Sequence, residues 1–546
     1  MDNYRLVLLL ALGLILMMIW QAWEEEQRAS TPAASTAEQA KRAESRRETS
    51  VPTVPGASPT APAVSPTATL QRGQRLVVTT DVIKAEIDTD GGDLRWVWLL
   101  KHPVSVDRPN EPFPLLRESD KDLFIAQTGL IGHGTEYPTH KVQYSAENTH
   151  YSLEPGKDEL RVPLVWRGPD GTRYVKTLIF HRSAYVVDIE YLVENRTSKE
   201  WSGFFYGQFQ HSYVEQGGMF SLPTYTGGAY YTPEHKYRKV TFADMAAKPL
   251  NVETTGGWVA MLQHYFVGAW IPEAEDRTQF YSDVLPNQRY VIGVKDLTPT
   301  TIAPAQSGRL HARLYVGPKD QNHLAQVAAG LELTVDYGWL TVISAPLFWL
   351  LSFIHRGVGN WGWSIIILTM LIKLAFYPLS ATSYKSMAQM KKLQPKLQSL
   401  KERYGDDRQK LNQAMMELYK TERINPLGGC LPILIQIPVF IALYWVLLES
   451  VEMRQAPFVL WIRDLSSPDP YFVLPLVMGV TMYAQQLLNP QPPDPIQRRI
   501  FMVMPVAFTA MFLFFPSGLV LYWVVNNILS ILQQWNINRV MVAKGG

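Results

Sequence analysis

The sequence predicts a multi-domain membrane protein: an N-terminal transmembrane anchor, an exported antiparallel β-sandwich, and a C-terminal α-helical core of five spans with a cytoplasmic helical hairpin. Three observations predict it. Residues 6–23 are 18 positions without a charge, residues 76–316 alternate apolar and polar side chains, and beyond Tyr337 long uncharged stretches are separated by short basic ones. The chain's 546 residues exceed one comfortable domain. Its net charge of +2 and mean hydropathy of −0.07 average a polar half with an apolar half.

The first apolar stretch follows Arg5 and precedes Glu24, Glu25 and Glu26. It ends Met-Ile-Trp-Gln-Ala-Trp, without the small residues of a cleavage site, so residues 1–28 read as an uncleaved anchor. The flanking charges keep the N-terminus cytoplasmic and send the chain beyond the anchor outward. Residues 29–72, rich in Ala, Ser, Thr and Pro, read as a flexible linker.

Residues 73–330 read as the exported domain. Ile83, Ala85 and Ile87 alternate with Lys84, Glu86 and Asp88. Val187, Ile189, Tyr191 and Val193 alternate with Asp188, Glu190 and Glu194, and Leu310, Ala312, Leu314 and Val316 repeat the pattern. Broken by turn signals at Gly91-Gly92, Gly168-Pro169-Asp170-Gly171 and Gly217-Gly218, this alternation is that of an antiparallel sandwich. Cys430 is the chain's single cysteine and lies elsewhere, so the domain must hold together by its own core. His211, Glu215 and His264 show no catalytic or metal-binding spacing, and no Gly-rich phosphate loop occurs.

Residues 331–356 and 357–384 are both apolar, but if both crossed the membrane the basic segment after them would lie outside. The first is therefore read as an amphipathic helix in the interface, and the second as a span. Residues 385–423 hold ten Lys or Arg against five Asp or Glu, marking a cytoplasmic loop. Residues 431–448 then span outward, 471–488 span back, and the 39 uncharged residues between Arg499 and Arg539 make two spans around Phe515-Pro516-Ser517-Gly518. The result is six spans with both termini cytoplasmic, and Trp339, Trp349, Trp361, Trp461 and Trp535 are candidate interface anchors.

Lys373 is the one charge placed inside a span, at a cost of about 2.5–3.5 kcal/mol near the membrane centre. Two readings remain open: its stem snorkels to cytoplasmic water, or it lines a water-filled cavity. No Asp or Glu falls within the predicted spans, so the partner of this unpaired charge is water or a visiting acidic group from outside the chain. Thr369 lies one turn earlier on the same face, and Gln436, Asn526 and Asn527 are polar groups available to the same cavity or to interhelical hydrogen bonds. In the basic loop, Met387, Met390, Leu393, Leu397, Leu400 and Tyr404, then Leu411, Met415 and Leu418, follow helical spacing on either side of Gly405. The two helices either pack by their apolar faces or present Met387, Met390, Met415 and Met416 as a compliant surface. A secondary transporter should show repeated halves, which are not visible here, and a structural scaffold would tolerate loss of the charge.

Several collinear motifs run along nearly the whole chain: Gly256-Gly257-Trp258-Val259-Ala260-Met261-Leu262-Gln263, Leu333-Thr334-Val335-Asp336-Tyr337-Gly338-Trp339-Leu340, Gly359-Asn360-Trp361-Gly362, Asn425-Pro426-Leu427-Gly428-Gly429-Cys430 and Phe515-Pro516-Ser517-Gly518-Leu519. In these the sequence closely resembles the YidC/Oxa/Alb family of membrane insertases, in its Gram-negative type with a large periplasmic domain. The resemblance implies an inner-membrane insertase and chaperone, not an enzyme, needing no cofactor. It implies a five-helix core, 357–546, with a hydrophilic groove for nascent membrane proteins. It also implies partnership with SecYEG and its accessory SecDF, with the ribosome and with membrane lipids. Lys373 looks like the counterpart of the family's usual groove Arg, keeping the charge without the bidentate fork. Thr369, Gln436, Phe514, Tyr522, Trp523 and Asn526 are the further groove residues the resemblance implies.

Overall fold

The computed structural model of the chain describes residues 51–55, 70–119, 122–133, 137–214, 224–404, 407–422, 431–489 and 495–543. The expected anchor, most of the linker, Glu215, the Gly217-Gly218 turn and the 425–430 motif lie outside the described residues. Two compact units divide between Thr334 and Val335.

The first unit is two packed β-sheets, of eleven and eight strands among the described residues. The period-two pattern explains them. Val187, Ile189, Tyr191 and Val193 of strand Val186–Glu194 are all buried while their sequence neighbours are half-buried. In Ser307–Pro318 Leu310, Ala312 and Leu314 are buried around half-buried His311 and Arg313, after which Tyr315 to Pro318, Val316 included, are all buried. These two strands pair antiparallel in the smaller sheet. In the larger sheet Phe124–Ile131 pairs antiparallel with Trp201–Ser212, which carries Phe205 and Phe209 into a shared core with Trp270 and Ile292. One pair departs from the expected pattern: Arg75–Thr79 runs parallel to His150–Ser152. Two short helices, α1 (Phe242–Ala247) and α2 (Gln321–Val327), follow N-caps at Thr241 and Asp320.

Alternation did not reveal a buried ionic cluster. Arg95, 1% exposed, lies 3.2 Å from Asp93, and the equally buried Lys176 donates Nζ to the carbonyl of Gly91 at 3.0 Å. Nor did composition reveal that part of the linker is docked. Val51 and Val54 pack against Ile131, Phe204 and Tyr206, which corrects the reading of residues 29–72 as flexible throughout.

His211 is buried, with Nδ1 2.5 Å from the carbonyl of Ser212, and burial lowers its pKa to about 4, so it sits there neutral. His264 stacks on Tyr265. Among the described residues no three His, Cys, Asp or Glu side chains gather as metal ligands.

The second unit is helical. Two 3-10 turns, Leu331–Thr334 at the end of the first unit and Gly338–Leu340 in the second, precede α3 (Thr341–Val358). Gly359 ends α3 in the left-handed conformation, φ +72°, and Asn360 caps α4 (Trp361–Ala375) by accepting from the Trp363 amide at 3.1 Å. Helix α5 (Tyr377–Tyr404) begins after a 68° bend, so the single span expected over 357–384 is broken. The cause is local. Pro378 has no amide to continue the ladder, which runs as far as the Phe376 N–H bonded to the Ile372 carbonyl at 3.0 Å.

Helix α6 (Arg408–Thr421), capped by Asp407, packs back on α5 as the expected hairpin, though α5 begins eight residues before the expected Lys385. Then come α7 (Leu431–Glu449), α8 (Val473–Leu488), α9 (Pro495–Phe512) and α10 (Ser517–Ala543). Helix α8 packs against both α9 and α10. Trp339, Trp349 and Trp535 are exposed, whereas Trp361 and Trp461 are half-buried.

By length and apolarity, residues Gly338–Val358 and the bent α4–α5 pair qualify as membrane crossings, and Gln436–Glu449 and Val473–Leu488 are shorter apolar helices. Helix α3 turns Ser344, Phe348 and Leu351 inward and exposes Val342, Trp349 and Phe353. Its outward face is therefore apolar.

The β unit supplies a pH prediction. Asp296 ends strand Arg289–Asp296, accepts from the Phe205 amide at 3.2 Å, and burial raises its pKa to about 7 from 3.8. A raised carboxyl pKa means the folded state holds the proton more tightly, so its contribution is full below about pH 4 and is lost as pH rises toward 7. In detergent-solubilised full-length protein, Asp296→Asn should gain stability over wild type by roughly 2–4 kcal/mol between about pH 4.5 and 7.5. Thermal unfolding of the β unit at both pH values measures it, and a pH-independent difference would contradict the assignment.

Candidate functional site

The break at Phe376 places Lys373 in the last turn of α4, at a helix end. Its half-buried side chain crosses to α10, where Nζ donates to Ser530 Oγ at 2.7 Å. Ser530 in turn donates to the Asn526 carbonyl one turn earlier, at 2.7 Å, and is also hydrogen-bonded by Tyr384 of α5. Three helices thus meet at one hydroxyl. Lys373 has a neutral partner within the chain, which corrects the expectation that its partner comes only from outside. Among the described residues no carboxylate pairs with Lys373.

Beside this junction lies a recess of about 410 Å³. Thr369, Lys373, Ser380, Gln436, Tyr522 and Asn526 supply its polar lining, and Ile372, Phe376, Leu379 and Val439 its apolar lining. Gln436 Nε2 donates to Asn526 Oδ1 at 2.6 Å, fixing both amides, and Tyr522 is hydrogen-bonded to Gln436. Thr369 turns its hydroxyl back to the Ile365 carbonyl, 2.6 Å away on its own helix.

Five of the seven expected groove residues, Lys373, Thr369, Gln436, Tyr522 and Asn526, therefore line one recess. Two do not. Trp523 packs edge-on against Phe440, ring centres 4.5 Å apart, and against Phe512. Phe514 lies in the turn between α9 and α10 and is 63% exposed. Tyr522 lines the recess, while the next residue, Trp523, turns to the Phe440 and Phe512 rings. Asn527 faces elsewhere too, donating to Thr481 of α8 at 3.2 Å.

The sequence reading missed Ser530, Ser380 and Tyr384. Ser530 was within reach of it, since it lies four residues after Asn526 and so shares its helix face. Ser380 and Tyr384 enter only because α5 turns at the bend, and the signal for that was Pro378. In the hairpin, Met387, Met390 and Met415 are half-buried and Met416 is 47% exposed, while Lys396 of α5 pairs with Glu422 beyond α6 at 2.6 Å.

The recess holds a cation, amide dipoles and hydroxyls against an apolar wall. Such a lining can solvate a polar or acidic segment that would otherwise meet hydrocarbon.

Comparison with known proteins gives the family. Residues 75–350 match the YidC periplasmic domain family, and residues 353–544 match the 60Kd inner membrane protein family. The membrane protein insertase YidC of Nitrosococcus oceani is 50% identical over 548 residues, covering 100% of both chains. That of Methylobacillus flagellatus is 52% identical over 545 residues, covering 99% of this chain and 97% of its own. A solved structure described as an active YidC insertase with its first transmembrane domain resolved covers 85% of this chain and 92% of its own. At 18% identity and a TM-score of 0.38, it adds nothing to what the relatives establish. With half its residues identical to those relatives from end to end, and both halves matched by the corresponding domain families, the chain belongs to the YidC family of membrane protein insertases.

Proposed function

We propose that this insertase receives its clients at the Lys373 recess. The observation that supports this is a cation held by a hydroxyl rather than by a carboxylate, beside a lining that has both polar and apolar residues. A nascent membrane protein enters among the helices from the cytoplasm, and its polar or acidic flank is solvated near Lys373 while its apolar segment moves into lipid. Burial of that segment drives the step, and no nucleotide is consumed.

The topology that suits this role has six spans with both termini cytoplasmic, the β domain periplasmic and α3 lying at the outer interface. The α5–α6 hairpin is then cytoplasmic, where Met387, Met390, Met415 and Met416 offer apolar surface to varied clients. We place SecYEG and SecDF beside it in the membrane, the ribosome at its cytoplasmic side during synthesis, and lipid around its apolar helices.

Site-specific crosslinking of a stalled nascent membrane protein to positions flanking Lys373 and Gln436 tests the entry route. Adducts are expected at the recess and not at Phe514. Insertion of a client with an acidic exported segment should fall about tenfold in Lys373→Ala, equivalent to roughly 1.4 kcal/mol, and stay within about twofold of wild type in Lys373→Arg. Full insertion by Lys373→Ala together with an absence of crosslinks would sink the proposal.

Ser530→Ala separates charge from position. It keeps the cation and removes its anchor, so insertion should fall by a smaller factor, about two- to fivefold, with crosslinks at Lys373 spread over more client positions. An unchanged crosslinking pattern would show that Ser530 does not position the lysine.

A further inference from the structure

Residues 51–55, Val-Pro-Thr-Val-Pro, fall within a stretch of linker composition, yet they lie against the β unit. Val51 and Val54 pack on Ile131, Phe204 and Tyr206, and Lys295 Nζ donates to the Thr53 carbonyl at 2.8 Å. Tyr206 and Lys295 are direct cross-strand partners, so the apolar contact and the cationic donor stand side by side. Phe205 and Phe209 of the same strand enter the main core. By alternation Phe204 and Tyr206 face the other way, and the segment covers the outer face of the larger sheet.

This contact has the features of recognition rather than of chance collapse. With the segment in place Lys295 is only 7% exposed, and the carbonyl it bonds belongs to the segment, so departure of the segment removes that acceptor from the ammonium. Pro52 and Pro55 favour an extended backbone before docking, which lowers the ordering cost. Three residues per turn puts Val51 and Val54 on one side, and the Thr53 side chain is exposed.

We propose that the face formed by Ile131, Phe204, Tyr206 and Lys295 is a binding site for an extended, proline-containing peptide with apolar side chains three residues apart, and that the chain's own residues 51–55 are its resident occupant. The site reads one main-chain carbonyl and two apolar side chains. Docking also sets a leash. From Trp23, where the apolar N-terminal stretch ends, the chain can extend to at most about 100 Å at Val51, against about 180 Å at Arg75, at roughly 3.5 Å per residue. Release of the segment nearly doubles the reach of the β unit. None of this depends on how Lys373 works.

The test uses full-length protein in nanodiscs and a fluorescent peptide, Thr-Ser-Val-Pro-Thr-Val-Pro-Gly-Ala, copied from residues 49–57. A variant whose residues 51–55 are replaced by Gly-Ser-Gly-Ser-Gly has an empty site. It should bind the peptide at least about tenfold more tightly than wild type, where the tethered segment competes at roughly millimolar effective concentration. Replacing both valines of the peptide by serine should weaken binding at least about fivefold, as should Lys295→Met in the protein. The peptide-side change leaves the protein's fold untouched. Equal binding to wild type and the emptied variant, no binding at millimolar peptide, or undiminished binding of the serine peptide would each overturn the proposal.

Discussion

A charged lysine inside an apolar helix bundle, with no carboxylate paired to it among the described residues, constrains the surrounding structure of the helical unit. Lys373 must reach polar atoms, and three features bring them within range. Helix α4 stops at Ala375, so the lysine lies at a helix end. Helix α10 presents Ser530 at hydrogen-bond distance, and α5 turns through 68° to bring Tyr384 to the same hydroxyl. The amide pair of Gln436 and Asn526 extends this polar ground into the recess. Change any one of the three helices and the ammonium loses its setting.

How far this was legible in the sequence differs between the two units, for physical reasons. In the β unit alternation carries most of the information, because a strand that faces a core on one side must repeat with period two. Val187 to Val193 and Leu310 to Val316 announce their burial without reference to anything distant. What alternation cannot reveal is a polar group that is buried because its partner arrives from far along the chain. Arg95 and Lys176 are of that kind, as is the Lys295 contact that holds residues 51–55. In the helical unit the lysine itself was conspicuous, since charge in an apolar run is rare. Its partner Ser530, 157 positions away, was not. The two expected groove residues outside this recess, Phe514 and Trp523, came from family resemblance alone, and Trp523 packs on Phe440.

The family motifs also acquire physical content. In Gly359-Asn360-Trp361-Gly362 the first glycine adopts a φ of +72° that closes α3. Asn360 caps α4 with its oxygen and donates its amide to the carbonyls of Pro457 and Phe458, at 3.2 and 3.1 Å. A Cβ on Gly362 would lie 2.1 Å from the Phe458 ring, so only glycine permits that approach. In Pro516-Ser517-Gly518 the Ser517 and Gly518 amides donate to the carbonyls of Ser467 and Leu465. Both motifs therefore fasten helix starts, those of α4 and α10, to the one connection between α7 and α8. These are the two helices that hold Lys373 and Ser530, so the motifs set the spacing of the site from its far end.

The magnitudes explain why a carboxylate is not needed. Placing a lysine at the membrane centre costs about 2.5–3.5 kcal/mol. A cation in the last turn of a helix recovers up to about 2 kcal/mol from the exposed carbonyl dipoles, and a hydrogen bond from a charged donor about 1.5–3 kcal/mol. Those two terms match the cost within its uncertainty, so Lys373 can remain charged with Ser530 and a helix end alone. A resident aspartate would bind the ammonium more strongly and would have to be displaced by every acidic segment that passed. A hydroxyl satisfies the ammonium while leaving its charge uncompensated, and an uncompensated charge is what a transient acidic visitor can use. For the proposed client role, bonding to Ser530 rather than to a carboxylate thus gives a site both stable when empty and reversible when filled.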